Sequence, residues 1–220
     1  MLWISWIQLL VALSNAIYFY ILYKRAKLVP PSLVLFCIVD ALTAPVNIWI
    51  AIEGSDLAIN SGLIISWVFT VAEVIFLPTF LSNLISKKYN PTLPLIIIVI
   101  APFLLKYLFK LDYYSPALNY FLSGTLISFH CYRVILYILS PNSANKHING
   151  TNRMLVFGIM ICYVTSIPFS ISLIAQLLLY HFYHVYISSV WVEVAFLVGN
   201  IIQHIFFFIP YRWRLQRQPL

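Results

Sequence analysis

Charged residues are scarce in this sequence. Its 220 residues include 13 Lys or Arg and only six Asp or Glu, so 9% of the chain is charged, against about 25% in soluble globular proteins. Hydrophobic residues make up 62% of the chain. Because a surface that faces water cannot be built from so few charges, this composition excludes a soluble enzyme, a nucleic-acid-binding domain and a disordered regulator.

Cysteine is also scarce, and the usual metal-binding motifs are missing. The three cysteines, Cys37, Cys131 and Cys162, lie far apart within apolar stretches, so they form neither a disulfide framework nor a metal-spaced pair. The histidines form no HxxxH or HExxH motif, which is the spacing that places two zinc ligands on one helix face. We therefore expect no metal ion and no other cofactor.

Long hydrophobic runs are what the sequence has in abundance. A helix needs about 20 apolar residues to cross the roughly 30 Å hydrocarbon layer of a bilayer. The runs predict an all-α bundle of seven transmembrane helices, which forms a single domain over residues 1–220 with no soluble domain. The predicted spans are about Leu2–Tyr23, Pro31–Ile52, Leu63–Ile85, Leu93–Leu111, Ala117–Leu139, Met154–Tyr180 and Val185–Pro210.

The basic residues between the spans predict an orientation. Ten of the 13 fall on one side of the predicted bundle: Lys24, Arg25, Lys27, Lys87, Lys88, Lys146, Arg153, Arg212, Arg214 and Arg217. Cytosolic loops carry an excess of Lys and Arg. We therefore expect a multi-pass protein of the plasma (inner) membrane, embedded in the lipid bilayer, with its N-terminus outside and its C-terminus in the cytosol. No nucleic-acid partner is expected, since the positive charge is explained by topology.

A weak internal similarity relates spans one to three with spans five to seven. The segment from Glu73 to Leu77 (Glu-Val-Ile-Phe-Leu) matches the segment from Glu193 to Leu197 (Glu-Val-Ala-Phe-Leu). With the fourth span as a linker, the two triplets would lie parallel in the membrane, as in some transporters. The alternative is chance similarity among aliphatic residues.

The first three spans carry a resemblance to a known group of proteins. They resemble small seven-span bacterial membrane proteins of uncharacterised activity, through Lys27, Pro30, Pro31, Asp40, Asn47 and Glu73. This resemblance implies a membrane bundle and no particular activity.

The layout of three, one and three helices is similar to that of the SWEET sugar transporters and, more distantly, of the microbial rhodopsins. Their signature motifs are absent here. Pro45 and Pro168 lack the Gln that follows the corresponding proline in SWEET proteins. No lysine follows Lys146, so retinal cannot be held as a Schiff base on the seventh span.

Polar residues within the spans are the candidates for a functional site. An ionisable side chain at mid-bilayer is costly, so it usually faces the bundle interior and marks a function. The candidates for a ligand or proton site are Asp40, Glu73, His130, Arg133, Glu193, Asn200 and His204. The alternative is that they form interhelical hydrogen bonds, worth about 0.6 kcal/mol each.

Four of these residues are expected to converge. Asp40, Glu73, His130 and Arg133 lie at similar depths on helices two, three and five, and Arg133 must find an acceptor because it stays charged. We expect Arg133 to pair with at least one carboxylate. The competing interpretation is that its long side chain reaches the cytosolic headgroups instead.

Three functions remain open from the sequence. We favour a bundle that binds or transports a small solute, with proton coupling through Asp, Glu and His. The second is a sensor or receptor subunit that signals through a separate membrane or cytosolic protein partner. The third is an intramembrane enzyme that performs acid–base chemistry on a lipid or isoprenoid, although the sequence identifies no catalytic residue and no nucleophile motif.

Overall fold

The computed structural model describes residues 2–26, 29–53, 56–109, 115–140, 150–184 and 190–216. Within these ranges the chain forms seven α-helices and no strand. The helices are α1 (Leu2–Ala26), α2 (Pro31–Glu53), α3 (Asp56–Leu84), α4 (Thr92–Phe109), α5 (Ser115–Leu139), α6 (Gly150–Tyr183) and α7 (Val190–Gln216). The all-α fold class predicted from the sequence is confirmed.

Four stretches in the described part of the chain are long and apolar enough to cross a membrane: Ser5–Lys24, Ile64–Leu84, Ala117–Leu139 and Gly150–Tyr180. Shorter apolar stretches lie in the other three helices, at Pro31–Val46, Thr92–Ala101 and Leu197–Ile209. The protein is therefore a helical protein whose apolar helices favour association with a membrane.

Local sequence signals explain where several helices begin and end. Pro30 supplies the carbonyl that accepts from the backbone N–H groups of Leu33 and Val34 at the start of α2. Ser86 has a φ of 53°, and the N–H of Lys87 bonds the carbonyl of Ser82, which is the Schellman arrangement that closes a helix. The side chain of Asn90 then accepts from the N–H of Thr92 at 3.0 Å and caps the start of α4.

Six helices form a closed ring in the order α1, α2, α3, α5, α6 and α7, and α7 packs back against α1. The fourth helix lies outside this ring, against α5 and α3. Because the connections are short, successive helices run antiparallel, and α1, α3, α5 and α7 share one direction. We call the end at which these four helices begin the upper end and the opposite end the lower end.

The interior of the ring differs between its two ends. The lower half is filled by a large apolar core that includes Phe19, Phe36, Phe80, Leu81, Ile127, Leu155, Ile159 and Phe207, each at most 2% exposed. Among the described residues, the apolar cluster in the upper half is smaller and consists of Leu9, Ala44 and Ile48. Many large apolar side chains point outward, among them Leu42, Ile64 and Leu10, which are exposed by more than half. The interior thus combines an apolar core with buried polar side chains, and large apolar side chains face outward. Polar groups that face the bundle interior are the arrangement expected in a lipid environment.

Candidate functional site

A polar cavity of about 80 Å³ lies inside the ring, between the apolar core and the upper end. All six ring helices supply polar side chains that line it, and among the described residues α4 supplies none. In chain order these side chains are Gln8, Asp40, Thr43, Ser66, Glu73, Tyr120, Ser123, Cys162, Tyr163, Ser166 and Asn200. Since a water molecule occupies about 30 Å³ of the liquid, the cavity has room for a few waters or a solute of similar size.

Glu73 lies on the α3 wall of the cavity and is 3% exposed. The hydroxyl of Tyr163 on α6 donates to Oε1 of Glu73 at 2.5 Å, and Ser123 on α5 donates to Oε2 at 3.1 Å. Both carboxyl oxygens therefore have a hydroxyl partner. No Lys, Arg or His lies within 4 Å of this carboxyl among the described residues, so its partners are hydrogen-bond donors rather than a counter-ion.

Asp40 lies on the α2 wall and is linked to α7 and α1. Its Oδ2 lies 2.9 Å from Nε2 of His204 on α7. The amide nitrogen of Asn15 on α1 lies 2.9 Å from Nδ1 of His204 and donates to the His204 backbone carbonyl at 3.0 Å. The three side chains form a continuous hydrogen-bonded chain across three helices.

This geometry fixes the tautomer of His204. The His204 carbonyl can only accept, so the Asn15 atom that faces it must be the NH₂ group. The second hydrogen of that NH₂ group points to Nδ1, which then accepts and carries no hydrogen. The ring hydrogen therefore resides on Nε2 and is donated to Asp40. Asp40 is therefore the acceptor of this bond, and it is an acidic group on the wall of the cavity.

The cavity is consequently acidic. Asp40 and Glu73 both line it, and no Lys or Arg is found among its described lining residues. The other polar lining groups are hydroxyls, amides and a thiol, including Asn200, whose Oδ1 accepts from Sγ of Cys162 at 2.8 Å, and the rest of the lining is apolar. Such a site favours a small cation or a neutral solute with several hydrogen-bond donors over an anion.

The structure brings together some of the residues predicted for the site. Asp40, Glu73 and Asn200 line one cavity, and His204 bonds to Asp40 beside it. Glu193 lies in α7, but its side chain is outside the part of the structure that is described.

His130 and Arg133 do not join this group, in contrast to the convergence expected from their depth. His130 is buried nearer the lower end, where Nδ1 lies 3.3 Å from the hydroxyl of Ser82. The guanidinium of Arg133 lies 5.8 Å from the ring centre of Phe129. No carboxylate is found within 4 Å of Arg133 in the described ranges. The reason is vertical separation: Ser82 lies nine residues below Glu73 on α3, or about 13 Å along a helix.

Three residues that the sequence prediction missed are central to the site. Tyr163 and Ser123 hold Glu73, and Asn15 orients His204. A signal for Tyr163 was present, because Tyr163, Ser166 and Ser170 follow the spacing of one helix face and all three are buried. Nothing in the sequence indicated that Asn15 would meet a histidine 189 positions away.

Metal binding finds no support in the described part of the chain, where no group of three or more His, Cys, Asp or Glu side chains is placed to hold an ion. Comparison with family models, curated proteins and solved structures gives no match to this chain.

Proposed function

We propose that the protein is a seven-span membrane protein whose cavity binds a small cationic or donor-rich solute, and that it moves this solute across the membrane in exchange for a proton. The observation that carries the proposal is the cavity that Asp40 and Glu73 share inside a ring of apolar helices. The proposal includes the orientation expected from the basic loops, with the upper end outside.

The lengths of the helices support seven spans. The shortest helix, α4, has 18 residues, which is about 27 Å at 1.5 Å per residue. That length approaches the roughly 30 Å of hydrocarbon, and each of the other helices exceeds it. The shorter apolar stretches in α2, α4 and α7 would then be parts of complete spans.

The order of the ring supports two related triplets of helices. A two-fold axis that exchanges α1, α2 and α3 with α5, α6 and α7 would convert the contact of α3 with α5 into the contact of α7 with α1. Both contacts exist, and α4 lies outside the ring as a linker helix would. Such parallel repeats place the binding site where the two triplets meet, and the cavity lies there.

Glu73 is our candidate for the group that exchanges a proton. A buried carboxylate without a counter-ion is costly, and Glu73 has only hydroxyl donors around it. A bound cation can compensate its charge, and a proton can do so when the cation leaves. This exchange would couple the two movements, whereas Asp40 is already held by His204.

The asymmetry of the interior supports an alternating mechanism. The cavity lies toward the upper end, and the lower half of the ring is closed by the apolar core around Phe19, Phe80 and Phe207. Release on the other side would require this core to part. Pro45, Pro78 and Pro168 lie inside α2, α3 and α6, where each removes a helix hydrogen bond and weakens the helix against bending.

The test begins with binding by the detergent-purified protein. Guanidinium and ethanolammonium serve as small cationic probes, with acetate and nitrate as anions of similar size, and thermal unfolding is recorded for each. We expect the cations alone to raise the melting temperature, because a ligand at 100 times its Kd adds about 2.7 kcal/mol of stability. Glu73→Gln should abolish this shift.

The matched control is Glu53→Gln. Glu53 is exposed at the end of α2 and accepts a hydrogen bond from the indole of Trp49, so this substitution makes the same chemical change outside the cavity. In liposomes that contain a pH-sensitive dye, the cation that binds should drive proton movement through wild type and Glu53→Gln but not through Glu73→Gln. Binding without proton movement would refute transport and favour the sensor, and stabilisation by anions would refute the acidic site.

A further inference from the structure

An apolar groove runs along the outside of the ring, between α4 and α5. It has a volume of about 350 Å³ and is lined by Pro94, Ile97, Ile98, Phe121, Leu122, Thr125, Leu126 and Phe129. The groove lies where α4, outside the ring, packs against α5. Thr125 is the one polar residue of this lining, and its hydroxyl is bonded to the carbonyl of Phe121. The groove is therefore suited to a hydrocarbon chain.

A positive charge lies at the lower end of the groove. Phe129 is the lowest α5 residue of the lining, and Arg133 follows it by one helical turn with its guanidinium over the Phe129 ring at 5.8 Å. Arg133 has no carboxylate within 4 Å among the residues that the structure describes. The loop that carries the exposed Lys87 and Lys88 passes the same turn of α5, since the ring of Tyr89 meets that of His130 at 5.1 Å.

We propose that this groove is a binding site for an anionic phospholipid, with one acyl chain along Phe129, Leu126 and Ile97 and the phosphate at Arg133. Charge complementarity selects the occupant. An arginine at membrane depth that lacks an acidic partner is destabilising unless its guanidinium reaches a phosphate. Arg133 lies where the apolar groove ends. This inference requires the helices to lie in a bilayer and does not depend on what the central cavity binds.

The length of the site matches an acyl chain, and Arg133 lies six residues, or about 9 Å, inward from the lower end of α5 at Leu139, so a phosphate bound there would lie inward of that helix end. From Phe121 to Phe129 the groove covers eight residues of α5, or about 12 Å, and Arg133 lies about 6 Å further on. One leaflet contributes roughly 15 Å of the 30 Å hydrocarbon thickness. An acyl chain in the groove would therefore place its phosphate close to the guanidinium, which bonds phosphate oxygens with two parallel N–H groups.

Native mass spectrometry of the full chain in detergent tests this site. Phosphatidylglycerol and phosphatidylcholine with identical acyl chains are added at equal concentration, and inorganic phosphate is added separately. We expect phosphatidylglycerol to be retained about fivefold better than phosphatidylcholine, which is the effect of one basic residue near an anionic lipid. Arg133→Gln should remove this preference. Inorganic phosphate should not bind, because it brings no acyl chain to the groove.

Two further variants separate the parts of the site. Ile97→Trp fills the groove from α4 and should reduce retention of both lipids. Arg153→Gln removes an exposed positive charge at the same end, on α6, and should leave the preference unchanged. Equal retention of the two lipids by wild type, or an unchanged preference in Arg133→Gln, would overturn the proposal. A dimer that Ile97→Trp dissociates would overturn it too, by showing that a second copy of the chain fills the groove.

Discussion

Replacing His204 with Phe tests whether Asp40 carries a charge inside the bundle. The change removes the Nε2–H donor that Asp40 accepts from at 2.9 Å and the Nδ1 acceptor of Asn15. It leaves the backbone carbonyl that Asn15 also bonds, and Phe fills a volume similar to that of the imidazole. The expected effect is therefore confined to the hydrogen bonds and to the carboxylate.

The size of the loss in the free energy of unfolding shows whether His204 contributes only hydrogen bonds or also stabilises a charged Asp40. Two lost hydrogen bonds, at about 0.6 kcal/mol each in a membrane protein, would lower the free energy of unfolding by about 1 kcal/mol. A buried carboxylate that loses its partner costs more, about 3–5 kcal/mol. The Asp40 side chain is 11% exposed and borders a cavity that can admit water, so we expect a value near the lower limit, about 3 kcal/mol.

Reversible unfolding in mixed detergent micelles, followed by far-UV circular dichroism, would measure this loss. His184→Phe is the matched control, because His184 is exposed at the end of α6, where its ring meets that of Tyr180. Asp40→Asn should cost less than about 1 kcal/mol, since its amide oxygen can still accept from His204.

In the His204→Phe background, Asp40→Asn should restore at least about 1 kcal/mol, because it removes the stranded charge. Effects of the two substitutions that add to within about 0.5 kcal/mol would show that the residues do not interact energetically. That result would refute the argument that the Asp40 carboxylate depends on His204.

Three other predictions concern packing, topology and pH. Gly158→Ala should destabilise the protein by about 1–3 kcal/mol, because the new methyl group would lie 2.6 Å from Cβ of Phe206. Thermal unfolding should show no such loss for Gly150→Ala, whose methyl group would meet no described atom within 4 Å. A cysteine introduced at Ser55 should react with an impermeant maleimide from outside intact cells, and labelling from the cytosolic side alone would contradict the predicted topology. The three native cysteines are buried and should not react in the same assay. Burial raises the pKa of Tyr89 to about 12, so the folded state keeps a proton that the unfolded state loses near pH 10. The free energy of unfolding should therefore fall between pH 10 and 12, and a pH titration of unfolding should show a smaller fall in Tyr89→Phe.

The helices could be predicted from the sequence because hydropathy acts along the chain. Runs of apolar residues bounded by prolines such as Pro30 and Pro116 predict where a helix starts, independently of its neighbours. Periodicity also predicts which polar residues share a face of one helix. This information was enough to identify Asp40, Glu73 and His204 as candidates.

The partners of these residues could not be predicted in the same way. Depth and helix face do not say which helices are adjacent in the ring. Arg133 was expected to meet a carboxylate because the two lie at similar depth, yet α7 rather than α5 supplies the partner of Asp40. The arrangement of six helices in a ring with α4 outside depends on how all of the faces pack together, which single-helix patterns do not contain.

Because α1 and α7 close the ring, the interior of the bundle can be completed only after the whole chain has been synthesised. The first helix and the last are neighbours, and Asn15 and Asp40 both depend on His204. At 5–20 residues per second, the ribosome needs roughly 10–30 s to pass from Asp40 to His204. During that interval Asp40 and Asn15 lack His204, and the face of α1 that packs against α7 is uncovered. The polar groups of the first two helices therefore acquire this partner only after the last helix has been made.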